Sequence, residues 1–186
     1  MNKFEFEYYE GLDLSSLIGK CITHISFEGV IIAERNKFQP IGRFVIFTKS
    51  NSSKSKESMY YLFSKSIGES WKREYIKLTA ESIKTEDRTA LASFTSQYAL
   101  DMTDEIEKIE IYGEVGEFVE VDPRTDVPTR IKFSSFDTLV IKFKSQKWLY
   151  ISHFFKGLFE FSKRMNVAPS EYLPMDEYQL VLLKSY

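Results

Sequence analysis

Two histidines and one cysteine are all that this chain offers for the commonest kinds of side-chain catalysis. His24 falls between Thr23 and Ile25 on the expected outward face of a strand. His153 falls where a helix is expected to begin, and Cys21 sits in phase with the inward-facing Ile25 and Phe27. A histidine general base needs a nucleophile or carboxylate held beside it, and no spacing here supplies one. Paired metal ligands of the His-x-His, Cys-x-x-Cys or His-Glu-x-x-His kind are missing, so no zinc site is expected. No Gly-x-Gly-x-x-Gly, Walker loop or Gly-x-Ser-x-Gly elbow occurs either, and neither does the Asp/Glu-x-Lys signature of restriction-type nucleases. Nucleotide binding by a standard loop and acyl transfer on a hydrolase elbow are thereby disfavoured. The residues predict no catalytic site, no cofactor and no bound metal.

Charge is the chemistry that remains. From Asp101 to Asp126, ten acidic residues stand against Lys108 and Arg124, an excess of about eight negative charges. From Arg130 to Arg164, eight basic residues stand against Asp137 and Glu160, an excess of about six positive charges. Two surfaces follow if the segments lie apart. Glu114, Glu117, Glu120, Asp122 and Asp126 would then form an acidic partner-binding surface that steers and orients a basic protein. Lys142, Lys144, Lys147 and Trp148 would form a basic, aromatic stripe able to hold a single nucleic-acid strand. If instead the segments pair as neighbouring strands, they neutralise each other. The sequence pI of about 5.8 favours the protein partner over the nucleic acid.

The elements that must carry these charges are mostly strands of period two. They include "FEFEYYE", "CITHISFE", "VIIAE", "RFVIFTK" and "MYYLFS" early on, then "EKIEIYGE", "EFVEVD", "TRIKF", "TLVIKFK" and "KWLYIS". Two stretches take helical spacing. Ser66 and Glu69 have capping-box spacing, and Ile67, Trp71, Tyr75 and Leu78 share a helical face, which predicts a helix over about 67–80. Ser152 could cap a second over about 153–166, with Phe154, Leu158, Phe161 and Met165 as its stripe and Asn166 and Pro169 as its stop. Trp71 and Phe161 are accordingly expected in the core. The C-terminal "DEYQLVLLKSY" reads equally as strand or short helix.

The halves, about 1–84 and 85–186, align. Ile22, Ile25, Phe27 and Gly29 match Ile106, Ile109, Ile111 and Gly113; "FVIFTKS" matches "LVIKFKS", and "MYYLFS" matches "KWLYIS". The fold class expected is therefore α+β: one globular, antiparallel-sheet-rich domain over 1–186, built of two pseudo-repeated strand-plus-helix halves. A chain of 186 residues, 43% hydrophobic with 8 Gly and 5 Pro, can bury such a core. Its acidic, aromatic start and the absence of a long apolar run predict neither export nor a membrane span. A lone cysteine suits a reducing cytosol, so the expected compartment is the cytoplasm and the Asn51 sequon is expected to be a polar loop.

In this general character the chain resembles the immunity proteins of bacterial contact-dependent and other polymorphic toxin systems: small, cytosolic, sheet-rich, aromatic-rich, mildly acidic and without catalytic signatures. The resemblance implies a non-enzymatic protein that binds a cognate toxin and occludes it, without assigning a role to any residue. The paired halves also resemble, in layout, the Whirly-type single-strand-binding fold, although the Lys-Gly-Lys-Ala-Ala-Leu signature of its plant members is absent. Partner identity and oligomeric state are left open.

Overall fold

The structure is a computed structural model. It describes the backbone of residues 2–7, 13–34, 37–50, 58–70, 73–83, 92–94, 96–98, 104–121, 124–154, 158–165, 167–173 and 180–186. Side chains are described for 13–29, 43–49, 92–94, 104–121, 124–152, 161–162, 164, 167–173 and 180–186. Antiparallel sheet dominates. The strands are β1 (Asn2–Glu7), β2 (Lys20–Glu34), β3 (Lys37–Ser50), β4 (Ser58–Ser70), β5 (Arg73–Ile83), β6 (Ser96–Tyr98), β7 (Ile106–Val121), β8 (Pro128–Phe143), β9 (Lys147–Phe154), β10 (Leu158–Met165) and β11 (Leu180–Ser185). Helix among the described residues is confined to a 3-10 turn at Ser15–Leu17 and one α-turn at Pro169–Tyr172. No helix among them is long and apolar enough to cross a membrane.

The two helices expected over 67–80 and 153–166 are replaced by strands wherever their residues are described. Ser66 and Glu69, read as a capping box, stand across the β4–β5 ladder from Lys77 and Glu74. Residues 158–165 run antiparallel to β9, with Phe161 opposite Ile151. The physical reason lies in the spacing. Residues four apart share a face in a helix and in a strand alike, because four is also an even number. Of the intervals that suggested helices, only Tyr75 to Leu78 and Leu158 to Phe161 distinguish the two periods. β-Branched and aromatic residues together with a cross-strand partner decide for strand. Trp71 lies outside the described residues. Phe161 is fully buried as expected, but from a strand.

The strands that align in sequence also pair alike. Ile25 stands opposite Ile46 as Ile109 stands opposite Ile141, and Phe27 opposite Phe44 as Ile111 opposite Leu139. On the next ladder Phe44 faces Phe63 where Leu139 faces Ile151. Register shifts recur too, between Ile22 and His24 in one half and between Ile106 and Lys108 in the other. At the far edges β6 lies along β2, and β11 along β7. An isolated bridge joins Cys21 to Glu105.

One apolar cluster draws on both halves. Phe27 and Ile25 of β2, Phe44 and Ile46 of β3, Ile109 and Ile111 of β7, Leu139 and Ile141 of β8, and Phe161 of β10 meet in it. Phe161 meets Phe27 and Phe44 edge to face, with centroids 5.3 and 5.0 Å away, a geometry that suits the aromatic quadrupoles. Cys21 is fully buried but is not a member of this cluster. A smaller cluster covers the opposite face of β7, β8 and β9, where Tyr112, Val140, Tyr150, Leu173 and Leu180 pack together.

Candidate partner-binding arm

β7 and β8 are the longest strands, 16 residues each, and they change character along their length. From Ile106 to Gly113, β7 is buried at most positions on both faces; from Glu114 onward it alternates. The break is a bulge. Tyr112 pairs with Thr138 but Gly113 pairs with Phe136, leaving Asp137 as the extra residue on β8. Gly113 is required there: a Cβ would lie 1.9 Å from the Ser135 carbonyl oxygen and 2.6 Å from Leu183 Cδ1. The Thr138 hydroxyl lies 2.6 Å from Asp137 Oδ1 and 3.0 Å from Ser152 Oγ. With one proton to give, it donates to Asp137 and accepts from Ser152. Burial pushes the Asp137 carboxyl above the usual range and the charge of Glu114 adds to this, while the Thr138 hydrogen bond works against it.

Beyond the bulge, residues 114–121 and 128–135 form an arm, with β1 parallel to β8 along its other side. Its two faces differ by parity. On one, Phe133 lies over Gly116, Phe118 meets the Phe133 ring edge-on at 6.0 Å, and Ile131 is buried. On the other, Val115, Val119 and Val121 are 50%, 56% and 51% exposed, with Val127 also exposed in the turn that follows. Glu117 lies within this valine row and is paired with Arg130. The turn at 124–127 contains Asp126 in the left-handed region at φ 55, which aspartate tolerates better than most residues.

The five acids proposed as a partner surface are therefore scattered. Glu114 is half-buried beside the bulge, Glu117 is exposed but ion-paired, and Asp126 is exposed in the turn. Asp122 lies outside the described residues. Glu120 departs from expectation: it is only 9% exposed, and its Oε1 is buried without a hydrogen-bond partner among the described residues. Glu117 and Glu120 are three residues apart, so a period of two sends them to opposite faces and only one can join the solvated row.

The acidic and basic segments lie side by side. Glu107 Oε2 is 3.1 Å from Lys142 Nζ, Glu105 pairs with Lys144, and Glu117 with Arg130, all between β8 or its following turn and β7 or its preceding bridge residue. The Glu105 hydrogen bond and charge hold the Lys144 ammonium above its ordinary range. Lys142 also stands over the Trp148 ring at 5.7 Å. Two lysines of the expected nucleic-acid stripe are thus already committed to carboxylates. On the same sheet face, Glu110 is buried, pairs with Lys108 and accepts the Tyr112 hydroxyl at 3.2 Å. Burial and the Glu110 charge push Tyr112 up to about 12.

The remaining sequence candidates are dispersed. His24 stacks on Phe47 at 4.0 Å and is held below its ordinary pKa by burial; the side chain of His153 lies outside the described residues. No group of three or more His, Cys, Asp or Glu able to hold a metal ion occurs among the described residues. What sequence reasoning missed is the valine row. The alternation in "EVGEFVEV" was its signal, but alternation alone names two faces without saying which is wet. Comparison with protein-family models, curated proteins and solved structures finds no match to this chain.

Proposed function

We propose that this chain is a protein-binding module of the immunity type, which captures a cognate toxin domain through the outward face of the β7–β8 arm. The observation that carries the reading is the row of half-exposed valines Val115, Val119 and Val121 on one face of the β7–β8 arm, with Val127 exposed in the turn that follows. Apolar side chains standing in water on a strand face are more than scatter when three stand in one row. Covering each would contribute on the order of 1 kcal/mol, half the burial of a whole valine. Glu117 stands within the row, Lys132 and Arg130 lie opposite Glu117 and Val119 on β8, and Arg124 and Asp126 are exposed in the turn that follows. An apolar centre within a charged rim is the usual anatomy of a protein–protein contact. Glu117 and Asp126 are the members of the acidic set placed to orient a basic partner.

A single-stranded nucleic acid on Lys142, Lys144, Lys147 and Trp148 is the weaker reading, because Glu107 and Glu105 already compete for two of its cations. The test is co-expression with the toxin domain encoded beside this chain in its genome. The intact protein should relieve growth arrest and co-purify with the toxin. Replacing Val115, Val119 and Val121 with Ser should weaken the complex by at least about a hundredfold. Full protection and unchanged affinity in that triple variant would reject the arm, and absence of any neighbouring toxin frame would reject the immunity reading itself.

A further inference from the structure

The valine row shares its face with a second, charged row. Residues directly opposite each other on antiparallel strands project to the same side. On this arm Val115 stands opposite Ser134, Glu117 opposite Lys132, Val119 opposite Arg130 and Val121 opposite Pro128. All of these are exposed except Ser134, which is half-buried. The outward face is therefore two parallel rows. Along β7 run valines interrupted by one acid, and along β8 run two cations bounded by Ser134 and Pro128.

A face with an acid in one row and a cation at the same level in the next is its own electrostatic complement. Two copies packed face to face about a two-fold axis can meet in few ways. An axis across the middle of the arm sets Lys132 and Arg130 of one copy against the same pair of the other, and an axis along β7 sets Glu117 against Glu117; both repel. An axis along the strands, midway between β7 and β8, lays each copy's β7 row over the other's β8 row. Glu117 then meets Lys132 of the second copy, twice by symmetry. Val121 meets Pro128, and Val119 lies along the aliphatic stem of Arg130.

We propose that the outward face of the β7–β8 arm is covered, when its partner is absent, by the same face of a second copy in this register, so that self-association and partner capture compete for the valines. The inference rests on the protein-binding reading and adds a resting state to it. The two strands span only about 20 Å by about 10 Å over these positions. That is far below the roughly 800 Å² that each side of a stable interface buries, so the pair is weak and exchanges, as a surface that must be vacated requires.

The test is sedimentation velocity of the full-length chain alone, from about 10 μM to about 1 mM. The sedimentation coefficient should rise with concentration toward that of a dimer. Replacing Val115, Val119 and Val121 with Ser should weaken self-association at least about tenfold. Glu117→Lys sets lysine against lysine across the axis, and Lys132→Glu sets glutamate against glutamate, so each variant alone should lose about tenfold or more. Mixed in equal amounts, the two should regain the parent's association to within about threefold, because both contacts of the mixed pair are lysine against glutamate. Charge changes inside one chain are not repaired by mixing, so this recovery reports a contact between copies. The toxin domain, once added, should convert the dimer to a complex of one chain with one toxin.

A coefficient flat up to about 1 mM, self-association undiminished by the three serines, or a mixture no better than its components would each overturn the proposal. So would a toxin complex that retains the valine-dependent pair. Valine-dependent protection against the toxin by a chain that stays monomeric would overturn self-association and leave the immunity reading standing. Valine-dependent pairing without any toxin capture would do the reverse.

Discussion

Phe161 shows how a single residue ties distant parts of the chain together. It lies on β10, is fully buried, and meets one ring from β2 and one from β3. Phe161→Ala should therefore cost about 3–5 kcal/mol, the range for deleting a buried ring and leaving its cavity. A urea midpoint within error of the parent would show the ring to be dispensable. Asp137 makes a prediction of opposite sign. Its carboxyl is held above the usual range, so the folded state binds its proton more tightly than the unfolded chain does. The stabilisation from that proton is complete below the unfolded pKa near 3.8 and is lost as pH rises through the folded value. Asp137→Asn should accordingly gain on the parent as pH rises from 3.5 to 7, by roughly 1 kcal/mol per unit of pKa removed. Denaturation curves across that range that run parallel for the two proteins would refute it. Glu28 behaves the other way. Burial alone would raise it, but hydrogen bonds of 2.8 Å from Arg43 N–H and of 2.6 Å from Nη2 hold it below its ordinary value. Its contribution is present above the unfolded carboxyl pKa and fades as pH falls through the lower folded one.

Among the elements, the β7–β8 hairpin depends on its bulge. Two glycines test this by contrast. At Gly19 the backbone lies at φ +77 with open space around it, so Gly19→Ala should cost about 1–2 kcal/mol of backbone strain alone. At Gly113 a methyl group would collide with the backbone of Ser135, which cannot swing aside as a side-chain end can. Gly113→Ala should cost upwards of about 3 kcal/mol and disturb exchange on both sides of Asp137. Equal losses for the two alanines would mean that the bulge opens freely. The same hairpin decides between the two charge layouts that the sequence leaves open, separate surfaces or mutual neutralisation. An acidic strand and a basic strand close in sequence are joined by a turn, and antiparallel pairing then sets Glu107 and Glu117 beside Lys142 and Arg130. Polarity along the chain becomes neutrality across the ladder.

For the molecule as a whole, the central cluster is drawn from both halves, so neither can lose its inner face without exposing the other's. The expected consequence is one cooperative transition. Trp71 and Trp148 are the two tryptophans, so Trp71→Phe leaves Trp148 of β9 as the sole fluorescence reporter in the second half. Adding Phe44→Ala, a first-half change, should shift the Trp148 transition and the far-ultraviolet transition together. Separation of the two curves would show the halves to unfold independently. Legibility in the sequence followed from locality. The period of two, the missing catalytic spacings and the alternating charges of residues 101–164 are properties of short windows, and they were readable one residue after another. The match between "FVIFTKS" and "LVIKFKS" likewise reappears in pairing, where Phe44 and Leu139 hold corresponding register positions. Three matters needed the tertiary structure. Whether Phe154, Leu158 and Met165 form a helical stripe or strand faces depends on the ladder beside them, because a spacing of four satisfies both periods. Whether the valines or Phe118 and Glu120 face water depends on what packs against the arm, because alternation has no sign. Whether Asp101–Asp126 presents a bare acidic surface depends on which strand lies next to β7, and strand neighbourhood is set by burial of the whole sheet rather than by any window of sequence.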